Sequence, residues 1–194
     1  MPTSPRAARR NPLQERVAGA ILEAAAQVLA AAGEQASMTD VAVAAGVARA
    51  TVYRYFPSRE ALLQELAELA VKSASERLTA ARIDAISVPE GVTRAVRALV
   101  DVGDLFIVLA GRRLRPEDEA FEKDIGMPVR KLVERGQAAG VIRDDIPSGW
   151  LTDSLVGSVV SLLSSSRSDG REDIVAAITS LFLEGARPRN AAAA

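Results

Sequence analysis

The chain contains no cysteine and no histidine. Without thiols it has neither a disulfide framework nor thiolate chemistry, which fits a reducing cytoplasm. Without imidazole it also lacks the commonest general base and metal ligand. No glycine-rich phosphate loop appears, so an all-helical enzyme finds no support and no cofactor or metal is implied. Aromatics are scarce as well: one Trp, two Tyr and four Phe among 194 residues. Long uninterrupted apolar runs are missing too. Val96 to Leu109 is broken by Asp101 and Asp104, and Trp150 to Leu163 by Asp153 and several serines, so neither reads as a membrane span. The N-terminal MPTSPRAARRNP carries arginines with no apolar run behind them, unlike a secretory signal. The expected location is therefore cytoplasmic.

What remains is a chain with 48% apolar and 25% charged residues, enough for a sizeable core and one or two domains. The formal charge of −1 hides an asymmetry. Residues 1–60 carry 7 Lys and Arg against 5 Asp and Glu, and the remainder carries 17 against 20. Distant acidic residues do not prevent local cations from displacing counterions at a phosphate backbone, so net charge does not exclude a nucleic-acid partner.

Apolar residues recur at helical rather than alternating spacing almost throughout. Val17, Ile21, Ala24, Ala25, Val28 and Leu29 predict a first helix ended by Gly33. The stretch SMTDVAVAAGVARATVYRYFPSREALL from Ser37 to Leu63 is the most structured in its signals. Ser37 with Asp40 three residues on forms a capping box. Val41, Ala42 and Ala45 make a short buried face, and Gly46 can end that helix in a left-handed conformation. Val47 is apolar beside the turn. Ala48 to Phe56 then allows about two helical turns, with Val52 and Phe56 inward and Arg49, Ala50, Thr51, Tyr53, Arg54 and Tyr55 on the exposed side and its flanks. Pro57 stops the helix and Ser58 caps the next, whose first turn holds Arg59 and Glu60 before Leu62, Leu63 and Leu66.

Two short helices joined at a glycine, the second bearing arginines and hydroxyls, are a helix-turn-helix pattern. Residues from about Val17 to Leu66, and AGVARATVYRYFPSREALL above all, resemble the DNA-binding domain of the TetR family of bacterial transcriptional regulators. The resemblance covers about the first third of the chain. It departs at Ala48, where the family often has a capping Ser, and at Thr39, where it often has a basic residue. The first departure weakens a cap worth ~1 kcal/mol.

The resemblance implies an all-α fold: an N-terminal three-helix DNA-binding domain and a larger helical C-terminal domain for effector binding and dimerisation. The expected division is a flexible arm at 1–12, the helix-turn-helix domain at 13–60, the helical domain at 61–187 and a disordered tail at 188–194. The boundary lies within a long helix running from Ser58 toward Arg82. Ser87-x-x-Glu90 reads as a second capping signature, followed by a strongly apolar segment from Pro89 to about Gly111. A charged connection with a short helix around Phe121 precedes a helix from Met127 to Ala139, closed by Gly140. Pro147 and Ser148 introduce Trp150 to Ser166, and Asp169-x-x-Glu172 is expected to cap the last helix.

Candidate DNA contacts are Thr39, Arg49, Ala50, Thr51, Tyr53, Arg54, Tyr55 and Arg59. A guanidinium can fork onto guanine O6 and N7 or onto phosphate, and a tyrosine ring can pack on the scaffold while its hydroxyl meets the backbone. One of the two tyrosines can instead belong to the core. Arg59 matches the family's phosphate-contacting lysine. Arg6, Arg9 and Arg10 read either as a minor-groove arm or as a solvated tail. By resemblance, an apolar effector cavity is expected from Leu105, Phe106, Leu109, Phe121, Leu132, Trp150 and Leu155, with ordinary core packing as the alternative for each. Asp104 would favour a cationic or hydroxylated ligand if it faced that cavity, and Arg97 with Asp101 has the spacing of a solvated i,i+4 pair. The final two apolar helices can close an intramolecular core, but the family places them in a four-helix dimer bundle. The implied interface is Leu151, Leu155, Val159, Leu162, Ile174, Ile178, Leu181 and Phe182.

The function implied is a homodimeric one-component repressor on a palindromic double-stranded operator, with half-sites about 34 Å apart or more, released by a small apolar or amphipathic effector. The alternative is the same fold acting as an activator or as a protein-responsive regulator.

Overall fold

The structure is a computed structural model that describes residues 11–103, 105, 119–165 and 170–188. The described residues are helical with no strand. They divide into two compact units, 1–65 and 66–194.

The first unit opens with α1 (Pro12–Ala32). It begins earlier than the apolar period at Val17 suggests, because Asn11 and Gln14 form a capping box and Pro12 occupies the first helical position. Asn11 and Pro12, expected in the arm, are thus part of the helix start. Arg6, Arg9 and Arg10 lie outside the described residues. After a 3-10 turn (Gly33–Gln35) come α2 (Met38–Ala44), α3 (Arg49–Tyr55) and the first residues of α4 (Arg59–Ala81). Ile21, Ala25, Val41, Val52, Phe56 and Leu62 are buried at the centre of this small unit. Helix α1 packs on α2, and α2 on α3.

In the second unit α4 ends at Ala81, and Arg82 adopts a left-handed conformation with φ 49°. Helix α5 (Val88–Val100) follows. Ser87 does stand at its N-cap, yet its side chain makes no capping bond. Glu90 pairs instead with Arg94 one turn on, at 2.8 Å. The turn before α5 is held from outside: the Arg135 guanidinium donates to the carbonyls of Ile83 and Ile86, both at 2.9 Å, and to that of Asp84.

The helix predicted from Met127 has an irregular lead-in. Backbone winding starts in α6 (Glu119–Phe121), widens into a π-helical turn (Glu122–Gly126) and tightens into α7 (Met127–Ala138). Gly126 leaves the space in which the Glu122 carboxylate lies, and Glu122 reaches Arg130 at 2.9 Å. Helix α7 packs closely on the start of α5 at Gly136. A Cβ there would come within 2.9 Å of Val88 Cγ1 and closer still to Ile142.

Helices α8 (Ser148–Ser165) and α9 (Arg171–Gly185) complete the unit. The cap of α9 is Gly170 without a side-chain bond, and Asp169 lies outside the described residues. Glu172 is occupied elsewhere: it receives both Nε and Nη2 of Arg97, at 3.2 and 2.7 Å, so Arg97 is tied to α9 rather than to Asp101. The core gathers Val92, Val96 and Leu99 of α5, Val129 and Val133 of α7, Leu155 and Val159 of α8, and Ile178 of α9. Among the described residues no helix is long and apolar enough to cross a membrane.

Candidate nucleic-acid interface

The geometry of α3 is set by the turn before it. The Ser37 amide donates to Asp40 Oδ2 at 2.9 Å and Asp40 N to Ser37 Oγ at 3.2 Å, which starts α2 sharply. These bonds, the side-chain one from Ser37 Oγ first, hold the Asp40 carboxyl below its ordinary pKa. The helix ends in a Schellman motif, with Gly46 N on Val43 O at 3.1 Å and Val47 N on Ala42 O at 3.0 Å. Gly46 has φ 65°, a conformation a side chain resists. Val47 is half-buried beside the turn. Ala48 then takes N-cap geometry, φ −66° and ψ 144°, and its carbonyl accepts from Thr51 N at 2.8 Å, but it has no side-chain oxygen to offer the first turn of α3.

Val52 and Phe56 are fully buried and fix the rotation of α3. That leaves Arg49, Ala50, Tyr53 and Arg54 exposed, with Thr51 and Tyr55 half-buried. Each arginine is paired with a ring. Arg49 donates to the Tyr53 hydroxyl at 3.4 Å and lies 5.3 Å from its ring centroid, and Arg54 lies 5.3 Å over Tyr55. Tyr55 also meets Phe56 in a tilted pair at 6.5 Å, so it is the tyrosine nearer the core and Tyr53 the one presented outward. Such stacking restricts two long side chains on an exposed face without using up their positive charge.

Thr39 is exposed in the first turn of α2. Arg59, expected to contact phosphate, is half-buried at the start of α4. Its guanidinium donates to the Ala36 carbonyl, which ties the start of α4 to the residue before Ser37. No sequence spacing signals that contact, since the residues are 23 apart.

Four of the expected effector residues, Leu105, Phe121, Leu132 and Leu155, meet in the second unit's core. Leu155 and Leu132 are buried, Phe121 and Leu105 are half-buried against the second unit's core, and Phe106, Leu109 and Asp104 lie outside the described residues. Trp150 is 70% exposed at the start of α8. The structure does hold a groove of about 740 Å³ in the second unit, flanked by the end of α4, by Arg82 to Asp84 and by the π turn with α7. Of the expected residues it includes Leu132; Arg82, Lys123, Lys131 and Arg135 are additions that no apolar pattern could flag.

Burial within one chain divides the expected interface residues. Leu151, Leu155, Val159, Ile174 and Ile178 are buried within a single chain, and Leu162 and Phe182 are half-buried. Only Leu181, 72% exposed, stands fully on the surface. The bare face of α8 is instead Ser154, Gly157, Ser158 and Ser161.

Residues 21–66 match the family model described as bacterial regulatory proteins, tetR family. The HTH-type transcriptional repressor LfrR of Mycolicibacterium smegmatis is 34% identical over 139 residues, covering 71% of this chain and 72% of that protein. The chain belongs to the TetR family. The crystal structure of LfrR from Mycobacterium smegmatis in complex with proflavine superposes with a TM-score of 0.70 at 28% identity. It covers 88% of this chain and 96% of that one. The TetR family regulator PfmR of Thermus thermophilus gives 0.67 at 25% identity, covering 84% and 97%. As in other TetR-family regulators, the N-terminal helix-turn-helix unit is followed by a larger helical unit.

Proposed function

We propose that this TetR-family regulator is a repressor that binds a palindromic operator as a homodimer and is released by a small molecule. The observation that carries the reading is the exposed face of α3. There Arg49 and Arg54 are held on tyrosine rings while Val52 and Phe56 anchor the helix from behind. A helix so presented fits the major groove, and guanidinium forks suit both guanine and phosphate. Thr51, Tyr53, Tyr55 and Thr39 add hydroxyls for the backbone, and Ala50 supplies a small apolar contact. Arg59 adds a guanidinium for phosphate near the N-terminus of α4, steadied by its bond to the Ala36 carbonyl.

Dimerisation is assigned to the outer faces of α8 and α9, through Leu181 and the small residues Ser154, Gly157, Ser158 and Ser161. Small residues allow helices to approach closely, and a two-fold dimer is what paired half-sites require. Repression is supported by the likeness to the repressor LfrR, and a small-molecule effector by its complex with proflavine. Helix α4 is continuous from the first unit into the second. A ligand that favours one position of its C-terminal half therefore shifts the DNA-competent population by its differential affinity.

Selection of bound duplexes from a random pool tests the reading. Recovery of an inverted repeat with half-sites about one helical turn apart or more supports it. An unenriched pool, or enrichment of a single asymmetric site, overturns it.

A further inference from the structure

We propose that the groove beside α4 binds an amphipathic organic anion, its head group on Lys123, Lys131 and Arg82 and its hydrocarbon on Leu78, Ile83 and Leu132. This rests on the reading of the chain as a ligand-responsive regulator and names the ligand class. The groove, at about 740 Å³, lies in the usual range for small-molecule sites. Its floor is apolar, with Leu78, Ile83 and Leu132 buried and Met127 partly open at the side.

The rim is cationic. Arg82, Lys123 and Lys131 have no ion-pair partner among the described residues. Arg135 spends its donors on three carbonyls, which are neutral, so its charge also stays uncompensated. Against these four cations the groove has two carboxylates, Asp84 and Asp124. The excess of positive charge over a low-dielectric floor favours an anion whose tail can leave water.

Both walls are also built on irregular backbone. Arg82 is the one residue other than glycine with positive φ among those described, and Lys123 and Asp124 sit in the π turn. Such conformations persist where surrounding structure holds them, and they recur at ligand sites.

Isothermal titration of the full chain with decanoate, below its micelle-forming concentration, tests this. Acetate supplies the head without the tail, and decyltrimethylammonium the tail with the opposite charge. Decanoate is expected to bind about 10-fold more tightly than either. The double variant Lys123→Gln with Lys131→Gln, both at the groove rim, is expected to lose about 10-fold in decanoate affinity. Lys72→Gln, on α4 outside the groove, should stay within about 2-fold. Unchanged circular dichroism of the double variant would show that it folds. No decanoate binding, equal binding of the cation, or equal binding by the double variant would each overturn the proposal. Because no DNA is present, these outcomes are independent of whether the chain selects an operator.

Discussion

Arg49 and Tyr53 stand one turn apart on α3, with the guanidinium 3.4 Å from the phenolic oxygen and 5.3 Å from the ring centre. The ring limits where Arg49 can go, so the two should act on DNA as a unit. We predict that Arg49→Ala weakens operator binding by about 1–3 kcal/mol. Tyr53→Ala should cost less in the Arg49→Ala background than in the parent. Anisotropy titrations over a double-mutant cycle measure this coupling. Strict additivity would show that the stacking seen here has no part in recognition.

The start of α3 offers a stabilising change. Ala48 already has the backbone angles of an N-cap and lacks only a side-chain oxygen. Ala48→Ser should therefore raise stability by about 0.5–2 kcal/mol, read as a shift of the urea midpoint at unchanged slope. A midpoint at or below that of the parent would mean that the first-turn amides of α3 are already satisfied.

Much of this unit was legible because its determinants are local. Ser37 with Asp40, Gly46, and the inward pair Val52 and Phe56 are each specified within a few residues, and the structure places them as their spacing predicts. The second unit was less legible because its capping motifs compete with charge pairs, one of them long-range. Glu90 and Glu172 have the spacing of capping residues, but Arg94 and Arg97 hold them. The groove was invisible for a similar reason: Arg82 and Lys131 are 49 positions apart, and a π turn with no clear sequence mark brings in Lys123. Trp150 is exposed although a large aromatic in an apolar run reads as core or cavity lining.

Gly46 tests the turn between α2 and α3. Open space surrounds the position where a Cβ would lie, so the cost of Gly46→Ala is conformational only. At φ 65° that is about 1–2 kcal/mol. Operator affinity of the folded fraction should change little if the Schellman bonds survive. A loss of affinity when the native state is fully populated would show that the turn sets the aim of α3 as well as its stability.

Acid should loosen both units by the same mechanism. Hydrogen bonds from Ser37 lower the Asp40 pKa, and those from Arg97, followed by its charge, lower that of Glu172. A carboxylate depressed in the folded state contributes stability above its ordinary value of about 4, and that contribution is lost as pH falls through the folded value. Stability of Asp40→Asn and Glu172→Gln should therefore decline less than that of the parent below about pH 4. Denaturation midpoints in acid and at neutral pH give the comparison. Parallel declines in parent and variants would place the relevant protons elsewhere.

The two ends of one turn of α9 separate folding from assembly. Ile178 is buried in its own chain, whereas Leu181, three residues on, faces outward. Ile178→Ala removes core contacts and should cost about 2–5 kcal/mol of stability. Leu181→Arg leaves that core intact, so its direct effect on the fold of one chain should stay within about 0.5 kcal/mol. Placed at a two-fold interface, however, it sets like charges against each other and buries them. Sedimentation should then show a shift from dimer to monomer, together with loss of binding to a two-half-site duplex. A Leu181→Arg protein that remains dimeric and binds as before would move the subunit contact away from this face of α9.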